Sequence, residues 1–143
     1  MASFLMENAA FSKFSRNYMR LKKDLPIRPS EMGVLNIIVQ TPGPHTPLML
    51  AEKLDVSKPM MTAHIRALGH HGYVEKVPSP EDGRAVYILP TDKAKALVAS
   101  VQAQTDAQLE HLCHALGEND FHTLVTLITR ANTLLEEFEH EHY

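Results

Sequence analysis

The side chains best suited to contact a nucleic acid are gathered in one stretch of this sequence, SKPMMTAHIRALG, at residues 57–69. Its apolar residues Met61, Ile65 and Leu68 recur at the i, i+4, i+7 spacing of a buried helix face. The residues that this spacing turns towards solvent are Ser57, Lys58, Pro59, Met60, Thr62, Ala63 and Arg66. Cationic and hydroxyl side chains bind phosphates, while threonine, arginine and small apolar side chains can also read base edges. The pattern therefore predicts a helix that contacts DNA.

A second candidate group follows in PSPEDGRAVYILPTD, residues 78–92. The runs YVEKV (73–77) and AVYIL (85–89) are rich in β-branched and aromatic residues, and seven residues join them. This pattern predicts a β-hairpin with a long tip. Arg84 lies near that tip, and arginine is a side chain that enters the strongly negative narrow minor groove of DNA. Asp82 is predicted to pair with this guanidinium and to fix its position.

The predicted DNA-contacting helix has the neighbours of the second helix in a helix-turn-helix. Thr46 and Pro47 have the residue types of an N-cap and a first helical position, so they indicate a short helix just before it. Asp55 and Val56 then form a tight turn, and Ser57 caps the next helix. In such a unit the second helix enters the major groove, and a hairpin beside it is a wing that reaches the adjacent minor groove.

Long amphipathic helices are predicted at both ends of the chain. The first has apolar residues spaced by 3, 4, 3 and 4 positions, an a/d seam formed by Phe11, Phe14, Tyr18, Leu21 and Leu25. Thr91 is predicted to cap a long helix that starts near Asp92 and breaks at Gly117, and a last helix follows until the acidic tail EEFEHEHY frays. One copy of the chain could not easily cover these seams, so a homodimer joined by the terminal helices is expected.

Composition and charge are those of one ordinary globular domain with a polarised chain. The 143 residues are 44% hydrophobic and 22% charged, with no apolar run approaching the roughly 20 residues that cross a bilayer and no secretory signal pattern. The single cysteine, Cys113, excludes an internal disulfide and suits the cytoplasm. Residues 1–95 contain 13 Lys/Arg and 9 Asp/Glu, a formal net charge of +4. Residues 96–143 contain one Lys/Arg and 8 Asp/Glu, a formal net charge of −7. This polarity favours one face for an anionic partner.

The region of residues 28–97, which begins with RPSEMGVL and ends with TDKAKAL, resembles the MarR family of bacterial transcription regulators. The most specific part of the resemblance is the wing pattern D-x-R followed by a β run and a threonine. In this sequence the pattern is formed by Asp82, Arg84 and Thr91.

The resemblance implies a mainly α fold with a small β-hairpin, in one unit of residues 1–143. A winged helix-turn-helix lobe would span residues 28–91, and N- and C-terminal dimerisation helices would span residues 1–25 and 92–143. Such a chain would bind double-stranded DNA as a homodimer on a pseudo-palindromic operator. Family members usually repress transcription, and many are relieved by a small aromatic or anionic effector. No catalytic residue, cofactor or membrane partner is implied.

An effector pocket is the further expectation that the resemblance carries. In the family, small aromatic ligands bind between the DNA-binding lobe and the dimer helices. The candidate lining here is Phe11, Phe14 and Tyr18, with Arg16 or Arg20 available for an anion. The alternative is that these residues form only the dimer core.

Two further functions remain as alternatives. A metal-responsive regulator of the same fold could use His111, His114 and Cys113, but their spacing is not that of a structural zinc site, so no metal ligand is predicted. A helical protein-interaction dimer without DNA binding is consistent with the acidic net charge of −3 and with Ala63. An enzyme is not expected, because the sequence lacks G-x-S-x-G, H-E-x-x-H, P-loop and G-x-G-x-x-G motifs.

Overall fold

Six helices and one two-stranded antiparallel sheet are present in the computed structural model, which describes residues 3–20, 24–81 and 83–143. The chain divides into two compact units, residues 1–101 and residues 102–143. The architecture is mainly α with one small hairpin, as predicted. In chain order the elements are α1 (Leu5–Met19), α2 (Pro29–Gln40), α3 (Pro47–Leu54), α4 (Lys58–His70), β1 (Val74–Pro78), β2 (Val86–Pro90), α5 (Asp92–Leu116) and α6 (Glu118–His142).

The predicted helix-turn-helix is formed by α3 and α4, and each helix is capped by the hydroxyl side chain that the sequence indicated. The Thr46 hydroxyl accepts a hydrogen bond from the Met49 amide at 3.2 Å, and the Ser57 hydroxyl accepts one from the Met60 amide at 3.2 Å. Between the helices, Asp55 adopts the left-handed conformation with φ 52°, which aspartate tolerates better than most residues. The predicted caps and tight turn are therefore confirmed.

Replacing Ser57 by alanine removes the cap of α4, because one amide of its first turn then loses its protein partner. We expect the free energy of unfolding to fall by about 1 kcal/mol, measured by urea denaturation. Ser100→Ala is the matched control, since Ser100 is exposed inside α5 and alanine has the higher helix propensity. Equal stability of both variants would contradict the capping role.

The core of the first unit is built around α4. Its buried residues Met61, Ile65 and Leu68 are the three that the sequence spacing turned inward. They belong to a cluster to which α2, α3, both strands and the first turns of α5 contribute. The largest fully buried side chains of this cluster are Leu35, Leu50, Met61, Ile65, Leu68, Ile88 and Val34. Burial of this face of α4 leaves its opposite face open to solvent.

The hairpin pairs β1 with β2 in a register that sets Val74 opposite Pro90. Each strand starts and ends one residue later than the predicted run. Pro90 occupies the last position of β2, where the lack of an amide proton costs little, as expected for a strand end. β2 is also hydrogen-bonded to the segment before α3, since the Ile88 amide donates to the His45 carbonyl at 2.8 Å.

The start of α5 is fastened to the end of α4. The Thr91 hydroxyl donates to the Gly72 carbonyl at 2.7 Å, and Lys93 Nζ donates to the His71 carbonyl at 2.7 Å. The Lys93 ammonium also lies 4.5 Å from the centre of the Tyr73 ring, a cation–π distance. The Thr91 hydroxyl oxygen accepts from an amide in the first turn of α5, so the predicted cap is confirmed.

The first helix is shorter than predicted. It ends at Met19, and Leu25 lies outside any helix and packs against the core instead. Pro26 accounts for the exclusion of Leu25 from a helix, because proline disfavours the helical conformation of the residue before it. Leu21 lies outside the described residues.

The last helix is longer than predicted, because α6 continues through the acidic tail to His142. The His142 ring stacks on Phe138 with 4.2 Å between centroids, and its Nδ1 lies 2.9 Å from the Phe138 carbonyl oxygen. This contact adds a side-chain interaction to the last turn of α6. Among the helices of the described residues, none is both long and apolar enough to cross a bilayer.

Candidate nucleic-acid interface

The solvent-facing surface of α4 holds the side chains that the sequence selected for DNA contact. All of the following are exposed: Ser57, Lys58, Pro59, Met60, Thr62, Ala63 and Arg66. They lie opposite Met61, Ile65 and Leu68, which anchor the helix in the core. One face of α4 is therefore packed in the core, and its opposite face is exposed to solvent.

Thr62 has a defined hydrogen-bonding state on this surface. Its hydroxyl donates to the Lys58 carbonyl at 2.9 Å, so the hydroxyl proton is already used. The oxygen keeps its lone pairs and can accept from the amino group of cytosine or adenine. To donate to a phosphate, the hydroxyl must first release the Lys58 carbonyl. The side chain is thus better prepared for a base edge than for the DNA backbone.

An open groove joins the starts of both helices to the wing. It has a volume of about 490 Å³, and its lining is Thr46, Pro47, Leu48, Lys58, Thr62, Arg84, Ala85 and Val86. Lys58, Thr62 and Arg84, predicted from separate stretches of sequence, therefore border the same depression. The helix N-termini of α3 and α4 are also at this groove, and such ends favour negative charge.

The base of the wing tip is held by local hydrogen bonds. The Ser79 amide donates to the Ala85 carbonyl at 2.9 Å, and the buried Ser79 hydroxyl accepts from the Glu81 amide at 3.3 Å. Arg84 is exposed beyond this closure. Asp82 lies outside the described residues, so its predicted pairing with Arg84 stays a prediction.

Sequence reasoning missed the apolar part of the groove. Leu48 is exposed in the first turn of α3, and Val86 is exposed at the start of β2. A large apolar residue in the solvent-facing first turn of a helix was the available signal for Leu48. No local signal marks Val86, because alternation within a short strand does not tell which neighbour the strand faces.

The candidate effector residues all lie on α1, which buries none of its side chains within the chain. Phe11 is 75% exposed, and Phe14 stacks on Tyr18 at 6.0 Å between ring centroids. Arg16 is exposed, while Arg20 donates to the Asn17 side-chain oxygen at 3.0 Å. Neither this groove at the wing nor the cavity near the α5–α6 turn includes any of them.

The histidines near the α5–α6 turn line a separate cavity of about 720 Å³. Its walls are formed by Glu110, His111, Cys113, His114, Gly117 and Glu118. Within residues 3–20, 24–81 and 83–143, no three His, Cys, Asp or Glu side chains are placed to hold one metal ion. The metal-responsive alternative therefore lacks an assembled ligand set in the described part of the chain.

Comparison with known proteins finds a family match for one part of the chain and a shared fold for most of it. The sequence model of the MarR family matches residues 27–86, which run from the residues before α2 to the start of β2. FabT of Streptococcus pneumoniae, solved in complex with DNA, is 21% identical over 95% of this chain and 99% of its own, with a TM-score of 0.81. MepR of Staphylococcus aureus, in a DNA complex, is 16% identical over 93% and 98%, with a TM-score of 0.69.

A third similar structure is the transcriptional regulator Tm0710 of Thermotoga maritima. It is 22% identical over 90% of this chain and 96% of its own, with a TM-score of 0.62. At these identities the structures support the winged helix-turn-helix fold, and the family match covers the lobe that carries the groove. The resemblance that the sequence predicted is confirmed: residues 27–86 match the MarR family, whose proteins are transcription regulators and not enzymes, and the similar structures share the fold.

Proposed function

We propose that this chain is a sequence-specific DNA-binding repressor that acts in the cytoplasm as a homodimer on a pseudo-palindromic operator. The lobe at residues 28–91 would present α4 to the major groove and Arg84 to the adjacent minor groove. The observation that carries the proposal is the shared groove, because it brings Lys58, Thr62 and Arg84 together beside two helix N-termini. The DNA complexes of the similar proteins FabT and MepR support the same use of the fold.

The major-groove contacts would be divided by chemistry. Ser57 and Lys58 would bind phosphates and set the position of α4. These phosphate contacts carry no sequence information. Thr62 would accept from a base amino group, and Arg66 would bind a guanine or a phosphate. The remaining exposed residues at the helix start, Pro59, Met60 and Ala63, would supply apolar contacts with sugars and thymine methyl groups.

The minor-groove contact would be made by the wing. Arg84 would insert where the groove is narrow and its negative potential is highest. Asp82 would hold the guanidinium in an orientation suitable for that insertion. Since the base of the tip is closed by the Ser79–Ala85 bond, the wing would reach the groove with little loss of backbone entropy.

The homodimer would be formed by the helices of residues 1–25 and 92–143. Both α1 and α6 are without buried residues in the single chain, although they carry many large apolar side chains. Two-fold association would cover these faces and place two copies of α4 one helical turn of DNA apart. A small aromatic or anionic effector near Phe11, Phe14, Tyr18, Arg16 and Arg20 would change the separation of the two lobes.

The proposal is tested by fluorescence anisotropy with labelled DNA from upstream of the protein's own gene and with scrambled DNA. We expect preferential binding to the upstream DNA and a linear fall of log K with log salt concentration. Release of transcription from a reporter on deletion of the protein would establish repression. A folded dimer that fails to bind any DNA at low salt would contradict the proposal and favour the protein-interaction alternative.

Lys58→Ala tests the assignment of phosphate contacts within this experiment. We expect affinity to fall by a similar factor for upstream and scrambled DNA, and the salt slope to decrease by about 1, because one counterion-releasing contact is lost. Lys95→Ala is the matched control, since Lys95 is an exposed lysine of α5 outside the groove. An unchanged salt slope in Lys58→Ala would remove this lysine from the phosphate contacts.

A further inference from the structure

His45 occupies the junction between α2, α3 and the wing. Only 3% of its surface is exposed. Its carbonyl accepts the Ile88 amide of β2 at 2.8 Å, and the next residue, Thr46, is the N-cap of α3. The backbone of His45 therefore links the wing strand to the helix-turn-helix.

The imidazole ring extends this link to the end of α2. Its Nε2 lies 3.2 Å from the Thr41 carbonyl oxygen and 3.4 Å from the Thr41 hydroxyl oxygen. The Thr41 hydroxyl donates its own proton to the Ile37 carbonyl, so both oxygens act as acceptors towards Nε2. A proton is therefore assigned to Nε2, which anchors the segment between α2 and α3.

The other ring nitrogen has no such role. Nδ1 of His45 is buried and has no hydrogen-bond partner among the described residues. Burying an unpartnered polar nitrogen opposes folding, and an aliphatic side chain in this place would avoid that cost. Stability alone therefore does not explain a histidine here.

We propose that His45 is a positioning residue for the wing. By holding the segment before α3 against Thr41, it fixes β2 through the Ile88 amide and so sets the place of Arg84 beside Lys58 and Thr62. The inference rests on the proposed DNA contact of Arg84. It assigns to a buried residue an effect on DNA binding that it exerts without touching DNA.

The test combines His45→Leu with Arg84→Ala and measures DNA affinity by anisotropy at fixed salt. We expect His45→Leu to lower affinity about 3- to 10-fold when Arg84 is present, the effect of one lost hydrogen bond, and to have no effect when combined with Arg84→Ala. The thermal midpoint of His45→Leu is expected to be unchanged or higher. Hydrogen exchange of the Ile88 amide is expected to become faster, because its acceptor is less firmly held.

His45→Gln is the conservative variant, since its amide nitrogen can reach the position of Nε2 and restore the bond to Thr41. We expect it to recover most of the affinity. An equal loss for His45→Leu with and without Arg84 would overturn the proposal, as would unchanged affinity with unchanged Ile88 exchange. If Arg84→Ala alone leaves affinity unaltered, the DNA contact of the wing fails, and the role of His45 fails with it.

Discussion

Replacing Arg84 by alanine is expected to weaken binding to operator DNA by about 1–3 kcal/mol, which is about 5- to 150-fold in affinity. The expected loss is largest on operators whose flanks are A·T-rich, because a narrow minor groove concentrates the negative potential that attracts a guanidinium. Titrations on two operators that differ only in these flanks measure the effect. Discrimination between the two flanks is expected to disappear in the variant.

Two controls separate the role of Arg84 from a change in net charge. Arg130→Ala removes the same charge from α6, where the side chain is exposed and lies outside the groove, and should leave affinity within a factor of about two. Arg84→Lys keeps the charge but loses the planar guanidinium, so an intermediate affinity is expected. Equal affinities of the Arg84→Ala protein and the wild type on both flanks would exclude a minor-groove contact.

The double substitution of Ile128 and Leu135 by aspartate is expected to give a monomer and to lower operator affinity by roughly 100- to 10,000-fold. Both side chains lie on one face of α6, seven positions apart, and are 39% and 63% exposed in the single chain. In a dimer they would be buried, and four new carboxylates at such an interface would lack partners. A monomer holds only one half-site, so it loses the gain from simultaneous binding of two.

Sedimentation velocity measures the oligomeric state, and anisotropy on full and half operators measures the binding. Thr133→Asp is the matched control, because Thr133 lies on the opposite face of α6 and is also exposed. Helical content should be unchanged in both variants, since α6 contributes no buried residue to the single chain. A double variant that remains dimeric would show that the proposed association uses another surface.

The features that local chemistry determines could be predicted from the sequence. Thr46, Ser57 and Thr91 cap helices because a hydroxyl before a helical run satisfies amides that no helix residue can reach. The burial of Met61 and Ile65 follows in the same way from helical spacing. Caps, turn and period together suffice for the order of helices and hairpin in residues 46–91.

The features that depend on competition between local and distant contacts could not be predicted. Leu25 fits a helical seam by spacing, yet it leaves the helix and packs against the core. The acidic composition of the tail predicts fraying, whereas α6 continues to His142, whose ring contacts Phe138. In both cases spacing and composition gave no measure of the competing interaction.

The residues of the candidate interface also differ in whether local sequence or distant contacts determine their role. Lys58, Thr62 and Arg84 were identified from residue type and motif, and their location at one groove agrees with that choice. His45 was not identified, because its importance lies in bonds to Thr41 and Ile88 that only the folded chain brings together. Roles that arise from a single segment are readable in advance, whereas roles that arise from a junction are not.

The bonds between the start of α5 and the end of α4 limit how these two helices can move relative to each other. Thr91 and Lys93 hold two successive carbonyls, at His71 and Gly72, so the two helix ends form one stiff body. A torque applied to the first turn of α5 would therefore be carried directly into α4, with little bending between them. For the DNA binding proposed above, regulation would then be a rotation of rigid parts that leaves the exposed surface of α4 folded.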